Sequence, residues 1–188
     1  MAYLYAQRSG VDAPGFWYTE AVGGTPQEPQ SGDVLDLGNY RVMAGQHFVG
    51  AEGSEFTLVG DGAGSGRLLF SDRENHSTIH VQQWAMVEFG KGSENCGDLT
   101  CEGGDLRLGN IVFSGGHNLG SIVSRNGGIV SFSDGHNYGR VVIRDRGNGY
   151  FYVPSRNDGL IVCESGRLWF CGGINGRALV CKDGKTVF

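Results

Sequence analysis

Carboxylates, imidazoles and thiols recur along this chain, and their spacing bounds the chemistry it can do. Asp134, Asp145, Asp158, Glu164 and Asp183 crowd the C-terminal third. Two carboxylates facing each other across a sugar can serve as acid and base in glycoside cleavage. Such pairs must rise from neighbouring positions on one surface. Here Asp134 and Asp158 fall near turns, while Asp145, Glu164 and Asp183 fall at a bend that Arg125 shares one repeat earlier. Bends face water and favour acids for solvation. This short acidic line therefore reads as a solvated edge, with a weak cation site as its chemical alternative.

The imidazoles and thiols are read the same way. His117 and His136 each stand one residue before an Asn-x-Gly turn, with His76 at a related place. Two imidazoles one repeat apart can hold a metal. Later repeats put Arg156 and Ile174 there, so the column has no fixed chemistry and reads as solvated turn histidines. Of the five Cys, Cys101, Cys163 and Cys181 share a column with Ser124 and Ile143, a place for small or apolar side chains. Free buried thiols are expected there. No Cys-x-x-Cys and no Cys/His pair has zinc-ligand spacing. Residues 60–66, Gly-Asp-Gly-Ala-Gly-Ser-Gly, lack the Lys-Ser/Thr of a phosphate loop and lead into a strand. No Gly-x-Ser-x-Gly elbow occurs. The expectation is no catalytic residue, no cofactor and no metal: a protein that is not an enzyme.

The elements that carry these residues follow from a repeated turn. Asn95, Asn118, Asn137 and Asn157 each begin an Asn-x-Gly, and Asn175-Gly176 is a shortened copy. The copies recur about every 20 residues, a period typical of solenoids. Each runs into an apolar strand: Leu99, Ile122-Val123, Val141-Val142-Ile143, Ile161-Val162 and Leu179-Val180. A second strand follows a Gly-rich bend, as in Arg67-Leu68-Leu69-Phe70 or Arg167-Leu168-Trp169-Phe170. Asn tolerates turn geometry, Gly supplies positive φ, and stacked copies let the Asn amides bond to one another in a ladder. No segment has a sustained 3.6-residue apolar period. The fold class is all-β: one right-handed parallel β-helix of about eight rungs over residues 32–188, the last incomplete. Residues 1–31, with Pro14, Pro26, Pro29 and Phe16-Trp17-Tyr18, read as an N-terminal cap over its open end.

The 188 residues include 34 Gly without a Gly-X-Y period, and the net charge is −5 without any Lys/Arg block. Neither nucleic acid nor a membrane is an expected partner. The N-terminus lacks the basic start and apolar stretch of a secretory signal, which predicts synthesis and retention in a host cytoplasm.

The opening segment carries a resemblance. Arg8-Ser9-Gly10, Trp17, Gly32-Asp33-Val34-Leu35 and Gly38-Asn39-Tyr40-Arg41-Val42 together resemble the first turns of right-handed parallel β-helix proteins. Such segments occur in bacterial surface proteins and in structural proteins of tailed bacteriophages. The resemblance covers roughly the first 45 residues. It implies a virion protein of decoration, cement or fibre type, with the capsid protein among its partners.

Strand alternation supplies the interface expected of such a protein. With Leu99, Ile122, Val141, Ile161 and Leu179 inward, Val123, Val142, Val162 and Val180 point outward behind Thr100. Four stacked valines facing water form a candidate oligomer interface, and closure about the long axis favours a trimer. The chain stops on an apolar strand at Val187-Phe188, which adds an expectation of covering by a neighbour. A glycan is the alternative partner, stacked on Tyr138, Tyr150, Tyr152 and Trp169. A polysaccharide lyase or hydrolase is the less favoured third reading, for want of an acid cluster.

Overall fold

A computed structural model describes residues 1–45, 51–61, 66–103 and 109–188. Residues 62–65 of the Gly-rich stretch lie outside the described residues. The chain is all-β; the described residues form three sheets of 10, 9 and 6 strands and contain no helix. Among the described residues no helix is long and apolar enough to cross a membrane. The strands coil as a parallel β-solenoid of about seven turns. The sequence count of about eight included the incomplete last turn.

Among the described residues, six consecutive turns, from Glu55–Val59 to Ile174–Asn175, each contribute one strand to each sheet. One turn runs Arg140–Ile143 in the first sheet, Asn148–Tyr152 in the second and Arg156–Asn157 in the third. In these turns each strand pairs in parallel with its equivalent one turn away, as in Val141↔Ile161 and Asn137↔Asn157. The opening residues join the same sheets. Tyr3–Ala6 pairs in parallel with Asp33–Asp36, and Gly10–Val11 with Arg41–Met43. Trp17–Tyr18 lies antiparallel on Tyr3–Ala6 and ends the first sheet. Trp17 is fully buried there, and its indole N–H donates to Asp12 Oδ1 at 2.7 Å.

The core is built from columns. Phe56, Ile79, Leu99, Ile122, Val141 and Ile161 form one continuous inward line from the first sheet. The second sheet adds a stack of phenylalanines. Phe70, Phe89, Phe113, Phe132, Phe151 and Phe170 lie ring on ring, with centroids 4.6 to 5.0 Å apart. Parallel strands sit about 4.8 Å apart, so identical side chains in register reach stacking distance without distortion.

At the third sheet the core is polar. Asn75, Asn95, Asn118, Asn137 and Asn157 are fully buried. Each donates Nδ2 to the Oδ1 of the next turn, at 2.8, 2.8, 2.7, 2.6 and 2.7 Å, ending on Asn175. The same Nδ2 also donates to the carbonyl two residues on, as Asn137 does to Gly139. Buried polar groups are tolerated because each is paired in this way. The expected ladder is present, and it starts one turn earlier, at Asn75.

The glycines of these turns have a different reason from the expected one. Gly97, Gly120, Gly139 and Gly159 do not adopt positive φ. A Cβ on Gly139 would lie 2.1 Å from the Gly120 carbonyl oxygen, and one on Gly159 would lie 2.0 Å from that of Gly139. Close approach between successive turns, not left-handed geometry, excludes a side chain here.

Candidate functional site

Three outward surfaces hold the residues singled out by sequence. The first is the outer face of the first sheet. Val34, Thr57 and His80 continue in register into Thr100, Val123, Val142, Val162 and Val180. The strand parity is therefore as expected, with Val141 and Ile161 inward. The four valines form a strip, though an uneven one. Val180 is 42% exposed and Val142 only 5%. Val142 has a valine on each side at the strand spacing, as half-buried Val162 also has.

Charges flank this strip in opposite pairs. Glu102 meets Arg125, Arg144 meets Asp145 at 3.7 Å, and Glu164 meets Lys182 at 3.8 Å. In the column after the strand, Arg144 and Lys182 flank Glu164 on the turns before and after it. Ser165, not an acid, stands between Asp145 and Asp183. The acidic line inferred from spacing is broken, because Glu164 lies between Arg144 and Lys182 and Ser165 lies between Asp145 and Asp183. Exposed pairs of this kind contribute little each, and no facing carboxylates of a glycosidase arise from these residues.

The second surface is aromatic. Tyr150 and Trp169 are in-register neighbours on the outer face of the second sheet. Their rings are 4.7 Å apart and within 3° of parallel, and Tyr152 lies 5.9 Å from Tyr150 at 4°. Partial burial raises the Tyr150 hydroxyl above its ordinary value. Beside this platform Asn148, Arg167 and Lys185 form the adjoining outward column. They line a shallow cavity of about 400 Å³ with Arg146, Ser165 and Asp183. Tyr138 is elsewhere, on the third sheet's edge, stacked on His136 at 4.2 Å.

Comparison with known proteins finds no matching family model, no matching curated protein and no matching solved structure. The chemistry of the site rests on its own residues.

The third surface is the outer edge of the third sheet, where the buried Asn of each turn is flanked by two outward side chains. The column before Asn reads Glu74, Glu94, His117, His136, Arg156 and Ile174. The residues after Asn are His76, Cys96, Leu119, Tyr138 and Asp158. His117 and His136 are thus adjacent as expected, with rings 6.0 Å apart and edge to face. His136 meets Asp158 at 2.8 Å, and Arg156 meets the same carboxylate at 2.7 Å. The hydrogen bonds from Arg156 first and His136 second hold Asp158 below the usual carboxylate range.

Sequence reasoning missed the other end of this edge. One carboxylate oxygen of Glu74, one imidazole nitrogen of His76 and the thiol of Cys96 all lie within 4.8 Å of one another. The sequence separates His76 from Cys96 by a whole turn, so no short ligand motif shows it. Burial, with Glu74 and Glu94 beside it, raises the Cys96 thiol above its ordinary value. The thiols of the inward column differ. Cys101 is fully buried and pushed up to about 12 by burial, as befits an inert core thiol. All five cysteines are free. Cys163 and Cys181 are in-register neighbours, Cys163 buried and Cys181 exposed.

Proposed function

We propose that the protein is a non-enzymatic structural solenoid that assembles through the outer face of its first sheet into a homo-oligomer, with trimeric closure favoured, on a bacteriophage particle. The observation that carries the assembly is the in-register strip Val123, Val142, Val162 and Val180 on an outward sheet face. A lone sheet exposes a polar outer face, as this one does at Thr57, His80 and Thr100. The change to valine over four consecutive turns fits a surface that meets protein. The phage setting, and the capsid as partner, rest on the resemblance of the opening segment.

Val142→Asp combined with Val162→Lys tests the strip. Sedimentation of wild type at micromolar concentration should give an oligomer, and the double variant should give the monomer mass with unchanged β circular dichroism. Thr57→Asp, on the polar half of the same column, should leave the oligomer intact. A monomeric wild type sinks the proposal. So does a soluble double variant of unaltered mass.

The coplanar rings of Tyr150 and Trp169 favour a second reading, a glycan-binding surface. Sugar rings stack on such platforms, and the neighbouring Arg167 and Lys185 suit an acidic saccharide. On a glycan array, Trp169→Ala should weaken any retained signal by about three- to tenfold, the size of one aromatic contact. Binding that ignores Trp169 would place any glycan elsewhere.

A further inference from the structure

The edge that carries Glu74, His76, Glu94 and Cys96 has the makings of a metal site. Glu74 and His76 stand either side of buried Asn75, and Glu94 and Cys96 either side of buried Asn95. Strand alternation turns all four outward, in two columns on two consecutive turns. The turns are locked together beneath them by the Asn75 to Asn95 hydrogen bond of 2.8 Å. His76 Nε2 and Glu74 Oε2 already approach to 2.8 Å.

The acids of this pair of turns lack a permanent cation among the described residues, as Glu55 does with its His80 partner. Glu88, Glu102, Asp145, Asp158 and Glu164 each meet an Arg or a Lys. Among the described residues, Glu74 and Glu94 have only histidine as ion-pair partner: His76 for the first, and His117 at 3.8 Å for the second. Two carboxylates flank a thiol with no permanent cation between them.

We propose that Glu74, His76 and Cys96 bind one divalent transition-metal ion of the zinc class, with Glu94 or water as fourth ligand. Zinc takes sulfur at about 2.3 Å and nitrogen or oxygen at about 2.0–2.2 Å, which puts tetrahedral donors about 3.3–3.7 Å from one another. Donor atoms already within 4.8 Å of one another need only a short approach to reach that geometry. The mixed nitrogen, sulfur and oxygen set selects zinc or cobalt over magnesium and calcium, which take oxygen. The ion would clip two successive turns on the outside where the Asn ladder clips them within.

The experiment uses the tag-free full chain, stripped with chelator and titrated with ZnCl2 by calorimetry and with CoCl2 by absorbance. One ion per chain is expected, with micromolar or tighter affinity for zinc and a thiolate-to-cobalt charge-transfer band. Cys96→Ser should remove the band and weaken zinc by about tenfold or more, and His76→Gln should weaken it similarly. His136→Gln, two turns beyond Cys96, should change neither. Circular dichroism of these exposed-site variants should match wild type. Failure to bind zinc overturns the proposal, as does a cobalt spectrum without the thiolate band. Binding that survives Cys96→Ser and His76→Gln but falls with His136→Gln overturns it too, by placing the metal on the histidine pair.

Discussion

Phe132→Ala should destabilise the fold by about 3–5 kcal/mol, the usual cost of removing a buried phenylalanine ring. Phe132 is fully buried and stacks on Phe113 and Phe151, both at 4.6 Å. The neighbouring rings are fixed by their own strands, which pair in register on either side. They cannot collapse into the gap without shifting a turn, so the cavity term should be nearly complete. Phe132→Leu should recover much of the loss. Chemical denaturation with matched m-values is the measurement. A loss below about 1 kcal/mol for Phe132→Ala would mean that the column fills the core without supporting it.

Asn137→Ala should cost about 2–4 kcal/mol, because it orphans groups on both adjacent turns. Asn137 accepts from Asn118 at 2.7 Å and donates to Asn157 at 2.6 Å and to Gly139 at 3.3 Å. Its removal leaves one Asn118 N–H and the Asn157 Oδ1 buried without their ladder partner. One net hydrogen bond is worth about 1 kcal/mol, and full burial of Asn137 sets the higher figure. Asn39 is exposed and outside the ladder, so Asn39→Ala should cost much less. Equal losses at the two sites in urea unfolding would deny the ladder any special role.

The solenoid and the Asn ladder were legible in the sequence because turn residues punctuate it at a steady period. The inward and outward columns followed from alternation, and the pairing Val142↔Val162 bears that out. The phenylalanine stack was equally present, but stacking shows only once the second strands are set in register. The step from Phe89 to Phe113 is longer than its neighbours and blurs the repeat. Contacts across turns were the hardest to see. His76 and Cys96 meet only because one coil of chain separates them, and the alternation of Arg144, Glu164 and Lys182 emerges only after exact register is known. The turn glycines were found for the wrong reason, since Gly139 is dictated by the backbone of a neighbouring turn rather than by its own φ.

The asparagine ladder also has a direction. Every amide from Asn75 to Asn157 sends its N–H toward the later turn, and from Asn95 on each oxygen accepts from the earlier one. Peptide dipoles alternate along a strand and largely cancel in a sheet. The side-chain amides do not alternate, so their dipoles add along the coil axis and polarise one another. The filament of amides therefore behaves as a small internal electret. Its positive pole faces the last turns and its negative pole the first, so the two ends of an otherwise repetitive rod are electrically distinct.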